Sequence, residues 1–280
     1  MNRQVSAVVC TMNSVASIRD CLESLREAGV GELIVVDASS TDGTREIAEE
    51  LADMVVTDPG HGLGHARNLG IARTSGDYIL NMGSDNVMPP CQLKAMLETL
   101  LSTGAAGVSA RTLIDGDDYV SSSLNAWRTG RFVPGPAAVI GTPTLFAGDL
   151  LREHPYDESR RFSDDSELCE RWARELGATF AISDAYVLEQ GKTSWSEVVV
   201  RCRMYGISDH EVFERGSQEG WSARRKAWSL MHPARVDFAV PLSRLDAHQA
   251  VRSAPFLAAF AAMRYYYWAQ AALPKMIDRG

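Results

Sequence analysis

The sequence predicts an α/β protein: a mainly parallel sheet with helices on both faces, followed by a C-terminal helical extension. Three observations carry this. Short apolar runs alternate with amphipathic helical patterns, β-α-β-α-β-α-β-α-β, over roughly the first 110 residues. Two of the runs end in aspartates, Asp37 and Asp85, toward what should be one sheet edge. That edge is where open α/β sheets bind nucleotides. Beyond about residue 194 the periodicity is helical.

Taken in order, Val5–Val9 is a buried strand, and Cys10-Thr11-Met12-Asn13-Ser14 is the loop after it. Ile18, Cys21, Leu22 and Leu25 recur at helical spacing, and Gly29 closes that helix. Leu33–Val36 is the second strand. Ser39–Thr44 is a cluster of turn and cap residues opening a helix with Ile47, Ala48 and Leu51 on one face. Met54–Val56 is a third strand. A glycine-rich loop, Pro59–Gly64, then leads to a short helix holding Arg67 and Asn68. The glycines at 60, 62 and 64 argue against a helix joining His61 to His65, so that pair reads as loop and not as a metal site. Tyr78–Leu80 is a strand stopped by Pro89-Pro90, Leu93–Leu101 a helix, and Ala106–Ala110 a strand.

From Asp115 to Thr144 the pattern weakens and reads as loops and short strands roofing the site. Leu145–Leu151 is ordered again. Leu168, Cys169, Trp172 and Leu176 form a helix ending at Gly177, with Asp164 and Asp165 at its N-terminus, where a carboxylate is favoured. Phe180–Ile182 and Tyr186–Leu188 read as two strands. Residues 1–200 are therefore expected as a catalytic domain, with a nucleotide half (1–110) and an acceptor half (111–200), and 201–280 as a helical region.

Composition is that of a globular protein, with 45% hydrophobic and 23% charged residues. A net charge of −8 argues against a general nucleic-acid binder. Five scattered cysteines without a CxxC pair fit reduced thiols, and the N-terminus runs straight into a strand, so a cytoplasmic location without a signal peptide is expected. Cys21 and Cys169 read as core residues. The segment Phe256–Leu273 is apolar except for Arg264, Gln270 and its tyrosines. Arg264 in mid-run would cost ~2.5 kcal/mol or more inside a bilayer. A packed helix, a peripheral membrane face built on Tyr265–Trp268 and Arg224-Arg225-Lys226, and a true span all stay open.

Three stretches together resemble the signature regions of family 2 glycosyltransferases. They are VVDASSTDGT (35–44), GHARNLGIARTSGDYILNMGSDNVMPP (64–90) and YDESRRFSDDSELCERW (156–172). The resemblance covers roughly residues 4–205. It implies the GT-A fold, a Rossmann-like sheet, and inverting transfer of a sugar from a nucleoside-diphosphate donor to an acceptor hydroxyl. It also implies the site residues. Thr11, Asn13 and Asp37 would hold the base, Arg67 would support the nucleotide, and Ser84 would contact the donor. Asp85 would bind Mg²⁺ or Mn²⁺. Asp165 would be the general base, with Asp164 orienting it. Three places depart from the family pattern: Gly83 for the first aspartate of Asp-x-Asp, Asp164 for a glutamate, and Glu189-Gln190 where relatives carry a histidine that helps hold the metal. The processive motif Gln-x-x-Arg-Trp is absent, which implies one transfer per encounter. Position alone suggests Trp127, Arg128, Arg131, Phe146 and Trp195 for the wall of an acceptor of unknown identity. Two other readings stay beside this one. A sugar-phosphate nucleotidyltransferase would want a basic, glycine-rich loop after the first strand, where this chain has Cys10–Ser14. The other is a non-catalytic nucleotide-sugar binding module.

Overall fold

The structure, a computed structural model, describes residues 4–159, 164–191 and 193–277. Arg160–Ser163, inside the third signature stretch, and the start of the N-terminal run lie outside the described residues. The chain divides into two compact units. One contains the residues up to Leu113 together with Pro134–Gln190, the other Ile114–Val133 together with the residues from Gly191 on.

The elements run β1 (Val5–Thr11), α1 (Ile18–Glu27), β2 (Glu32–Asp37), α2 (Thr44–Leu51), β3 (Met54–Thr57), α3 (Leu63–Ile71), β4 (Tyr78–Gly83), β5 (Asn86–Val87), α4 (Gln92–Thr103) and β6 (Gly107–Ile114). Helix α5 (Tyr119–Arg131) falls in the second unit. The first unit continues with β7 (Gly135–Ala137), β8 (Thr144–Ala147), α6 (Gly148–Glu153), α7 (Asp164–Leu176) and β9 (Phe180–Glu189). The strands form one mixed sheet in the order β3-β2-β1-β4-β8-β6-β9-β5, with β7 also on β9. The run β3-β2-β1-β4 is parallel, and β8 is antiparallel to both its neighbours.

Strands β1 and β2 are apolar at nearly every position because both faces are covered. Val5, Ala7, Val9, Leu33 and Val35 share a core with Leu22 and Leu25 of α1, Ala48 of α2, and Leu93 and Met96 of α4. Each fully buried leucine there contributes ~1.5–3 kcal/mol. Val8 and Val36 point the other way, toward α3. A Cβ on Gly70 of α3 would meet Val8 Cγ1 at 2.4 Å and Val36 Cγ2 at 3.0 Å. Only glycine lets α3 lie that close to the sheet, and α3 carries Arg67.

The parallel register then sets the site. Thr11 lies opposite Asp37, Asp37 opposite Thr57, and Cys10 opposite Gly83. The C-terminal ends of β1, β2 and β4 thus share one edge, as the strand-end aspartates predicted. On the antiparallel side Asn86 of β5 pairs with Glu189 of β9, which places Glu189 beside the turn holding Asp85.

Three expectations change. The two strands expected over 180–188 are one strand, because Ser183 is buried and donates to the Ser109 carbonyl (2.9 Å), so the polar Ser183-Asp184 pair does not break it. His65 lies in a helix. The buried Asp58 carboxylate accepts from the Gly60 and His61 N–H groups and fixes the turn from which α3 starts at Leu63. Among the described residues no group of three His, Cys, Asp or Glu could hold a metal. The weak stretch after Asp115 contains α5, a full helix capped by Asp118, whose carboxylate accepts from Val120 N and Ser121 N.

In the second unit α5 joins α8 (Trp195–Gln218), α9 (Ala223–Leu230), a π-helical stretch (Pro233–Ala239), α10 (Val240–Arg244) and α11 (Ala247–Ile277). The chain enters this unit for the second time after Gln190, and within it α5 buries Val120, Leu124 and Trp127 against Val198, Cys202, Phe256 and Phe260. Arg264 is buried and binds two carboxylates, Asp237 and Asp209 (2.7 Å). Asp237, fully buried, also accepts from Trp127 Nε1 (3.1 Å) and Arg131. The charge in the apolar run is thus paired inside a helical bundle. Among the described residues no helix is long and apolar enough to cross a membrane.

Candidate active site

Two groups of side chains meet at the common edge of the first unit. The first lines the ends of β1 and β2. Asn13, held at φ 50°, donates its N–H to Ser40 Oγ (2.8 Å), and its Oδ1 accepts from Thr41 N (3.0 Å). Asp37 is buried, accepts from Ser40 N (3.2 Å) and lies 4.0 Å from the Arg45 guanidinium. Thr11 Oγ1 is buried, with no hydrogen-bond partner among the described residues. Ser84 Oγ lies 3.0 Å from Ser14 Oγ, and the Ser84 carbonyl accepts from Ser17 Oγ (3.0 Å), tying the β4 turn to the loop after β1.

The second group is built around Arg67. Its Nη1 donates to Asp164 Oδ2 (2.5 Å) and Asp165 Oδ1 (3.0 Å), and its Nη2 to Thr142 Oγ1 (2.6 Å). Tyr156 lies against the guanidinium, with its ring centre 5.0 Å away. Its hydroxyl donates to Asp165 Oδ1 (3.3 Å) and accepts from Asn81 Nδ2 (3.2 Å). Burial and the nearby Asp165 push the tyrosine pKa well up, so it stays a donor. Asp165 Oδ2 receives only a long bond from Thr142 N (3.4 Å) among the described residues, and so is the oxygen best able to take a proton. Burial raises the Asp165 pKa above the 3.8 of an ordinary aspartate; Arg67 opposes that shift and Asp164 adds to it. Burial alone would lower the Arg67 pKa, but Asp165, Tyr156 and Asp164 raise it, so it stays a cation.

The sequence predicted the carboxylate pair but placed Arg67 on the nucleotide. In the structure the Arg67 guanidinium is hydrogen-bonded to that pair. Tyr156, Thr142 and Asn81 were missed. Tyr156 lay within the third signature stretch, and a buried tyrosine needing a partner was its one local signal. Of the acceptor-wall candidates, Trp127, Arg128, Arg131 and Trp195 belong to the second unit and Phe146 to the first. Trp127 is buried and packs on Phe260 (5.1 Å), donating to Asp237, and Arg131 is paired with Asp237. Arg128 is buried in α5. Phe146 is buried in β8 against Trp172 (5.5 Å). The half-exposed Trp195 ring sits 5.3 Å from Phe256 of its own unit. None of these enters the reaction proposed below.

The sequence profile of glycosyl transferase family 2 matches residues 6–148, just over half of the chain. The chain belongs to glycosyl transferase family 2. The matched stretch carries Thr11, Asn13, Asp37, Arg67 and Asp85, while Asp164 and Asp165 of this family 2 chain lie beyond it and are joined to it by Arg67.

EpsH of Bacillus subtilis is 38% identical over 102 residues, 34% of this chain and 30% of EpsH. A TPR repeat-containing protein of Synechococcus elongatus is 37% identical over 233 residues, 82% of this chain and 49% of that protein. The matches to EpsH, AglJ of Haloferax volcanii and ExoO of Rhizobium meliloti span about a third of those proteins. In fold, the chain is similar to the mannosyltransferase PcManGT of Pyrobaculum calidifontis, solved with GDP-Man and Mn²⁺. The TM-score is 0.62 at 19% identity, covering 100% of this chain and 89% of that one. It is also similar to S. aureus TarS solved with UDP-GlcNAc, with a TM-score of 0.53 at 16% identity, covering 95% and 89%. The family 2 chain thus has the GT-A architecture with added C-terminal helices.

Whether the residues fit a divalent metal can be judged at the β4–β5 turn. The Asp85 carboxylate accepts from Asn86 Nδ2 (3.0 Å), and its backbone carbonyl accepts from Gln190 N (2.8 Å), beside Glu189. Asn86 Oδ1 is buried without a hydrogen-bond partner among the described residues. These are hard oxygen donors, but among the described residues no group of three His, Cys, Asp or Glu surrounds them. They fit a Mg²⁺- or Mn²⁺-like ion that brings phosphate oxygens as its remaining ligands. They do not fit an ion caged by protein alone. Gly83 at the motif's first place has a local reason: a Cβ there would meet Asn86 Nδ2 at 2.5 Å and Asp85 Oδ1 at 2.9 Å.

Proposed function

We propose that the protein is an inverting, non-processive, metal-dependent glycosyltransferase that moves a sugar from a nucleoside-diphosphate sugar to an acceptor hydroxyl. The observation that carries the reading is the Arg67–Asp164–Asp165–Tyr156 cluster, joined to the strand-end edge where Asp37 and Asp85 lie. Thr11, Asn13 and Asp37 take the nucleotide, and Asp85 holds the metal. When bound, the metal neutralises charge on the leaving diphosphate. Asp165 Oδ2 takes the acceptor proton as the acceptor oxygen bonds to the anomeric carbon. The bond from that carbon to the diphosphate breaks on the opposite face. Arg67 and Tyr156 hold Asp165 Oδ1, leaving Oδ2 directed by one long bond. The free cysteines support a reducing, cytoplasmic compartment.

A panel of nucleoside-diphosphate sugars incubated with Mg²⁺ or Mn²⁺ tests this. One donor should be consumed, its sugar should appear with inverted anomeric configuration, and EDTA should stop turnover. Retention of configuration would remove Asp165 from its role. Tight binding without consumption of any donor would favour the non-catalytic module, the reading that the single metal-motif aspartate keeps alive.

Two further outcomes follow from the local geometry. The base works as a carboxylate, so kcat/KM should fall as pH drops through the raised Asp165 pKa, above the ordinary 3.8. Tyr156→Phe removes a hydrogen bond to the charged form, which raises that pKa further, so the acid limb should move to higher pH. A pH–rate profile unmoved by the substitution would show that Tyr156 does not position the base. At the metal turn, Gly83→Ala should push Asn86 and Asp85 apart. Metal-dependent donor binding should weaken roughly 10- to 100-fold, the usual effect of disturbing the support of a ligand. Titration calorimetry with Mn²⁺ and nucleotide would measure it.

A further inference from the structure

The second unit carries a surface that the proposed reaction does not use. Residues 220–236 contain four cations, Arg224, Arg225, Lys226 and Arg235, and no acid, in a protein whose net charge is −8. Helix α9 lies within that segment, and none of its eight residues is buried. Trp228, Leu230 and Met231 are exposed on it and just past it. The cations are organised around the aromatic rings. The Arg225 guanidinium lies 4.2 Å from the Trp221 ring centre, and that of Arg235 lies 4.1 Å from the Trp228 ring centre. Tyr265 of α11 donates its hydroxyl to the Leu230 carbonyl (2.8 Å), which fastens α11 to the end of α9 and brings the exposed Tyr265-Tyr266 pair to the same segment.

We propose that this face, Trp221–Arg235 with Tyr265 and Tyr266, docks on the surface of an anionic phospholipid bilayer. The charge complements an anionic leaflet, and rings that sit partly in water and partly in hydrocarbon suit the headgroup level. Arginines stacked on indoles keep their charge near the phosphates while the rings enter. A soluble polyanion would satisfy the four cations but leave Trp228, Leu230, Met231 and Tyr266 in water. A bilayer takes both. The docking is peripheral, since no described helix can span. The inference stands independently of the glycosyl-transfer reading.

Co-sedimentation of the 280-residue protein with vesicles tests it, using phosphatidylglycerol–phosphatidylcholine mixtures and phosphatidylcholine alone. Binding to the anionic vesicles and not to the neutral ones is expected. Replacing Arg224, Arg225 and Lys226 by glutamine should lower partition on the order of 100-fold, at roughly fivefold per cation. Trp228→Ser should lower it at least about fivefold, and that loss should persist at ~0.5 M salt, where charge pairing is screened. These side chains are not buried, so circular dichroism and the unfolding midpoint should not change. If the triple variant does not fold, Arg224→Gln with Arg225→Gln, both at exposed positions, serves instead. Absence of binding to anionic vesicles overturns the proposal, as does equal binding to neutral ones. So does binding that heparin competes away and Trp228→Ser leaves intact, because the surface would then read charge alone.

Discussion

Asp165→Asn is expected to cut turnover of the sugar donor by roughly 100- to 10,000-fold, the usual contribution of a positioned base. Donor binding should stay within a few-fold. The substitution keeps an oxygen for Arg67 and Tyr156, so the cluster's geometry is retained, while the atom that takes the proton is lost. Asp164→Asn should cost less, because among the described residues the Asp164 carboxylate is bonded to Arg67 and not to the base. Single-turnover kinetics with the identified donor would separate the two. Unchanged turnover in Asp165→Asn would end the general-base assignment, and an equal loss in both variants would mean that the pair acts as a unit.

The second large effect lies in the helical unit. Asp237→Ala should destabilise that unit by ~3–5 kcal/mol, since it leaves the charges of Arg264 and Arg131 without their shared carboxylate. Burial acts against the Arg264 charge, and Asp237 and Asp209 are what hold its pKa up. Trp127 Nε1 would lose its partner as well. Thermal unfolding should show a fall on the order of 10 °C in the transition that reports this unit. Removing the charges together, with Asp237→Leu, Arg264→Leu and Arg131→Leu, should recover part of the loss, because a packed apolar group costs less than an unpaired buried ion. A single-variant shift under about 2 °C would mean that water or Asp209 already compensates.

Much of this could be read from the sequence because the first unit is built from local patterns. Val5–Val9 and Leu33–Val36 are apolar without alternation since both sheet faces are covered, and Ile18–Leu25 repeats at helical spacing since one side faces the sheet. Asp37 and Asp85 could be placed at one edge because parallel strands share a direction. Helix α5 was hidden by composition: Ser121-Ser122-Ser123 and Gly130 dilute a Val120, Leu124, Trp127 spacing that is helical. The Arg67–Asp165 bond spans 98 residues, and no window of sequence holds both ends. Position alone suggested Trp127 for the acceptor wall, because its partners, Asp237 and Phe260, lie more than 100 residues away.

The Arg67 cluster also has a charge state that constrains the cycle. One guanidinium between two carboxylates leaves a net charge of −1. On the proposed reading, the proton taken from the acceptor brings the cluster to zero just as negative charge develops on the diphosphate nearby. The neutral cluster then cannot serve a second acceptor. The base must return its proton to solvent between turnovers, and Asp165, with a fifth of its side chain exposed, is the member of the pair that can do so. Release of a proton therefore belongs to the same interval as release of the nucleotide.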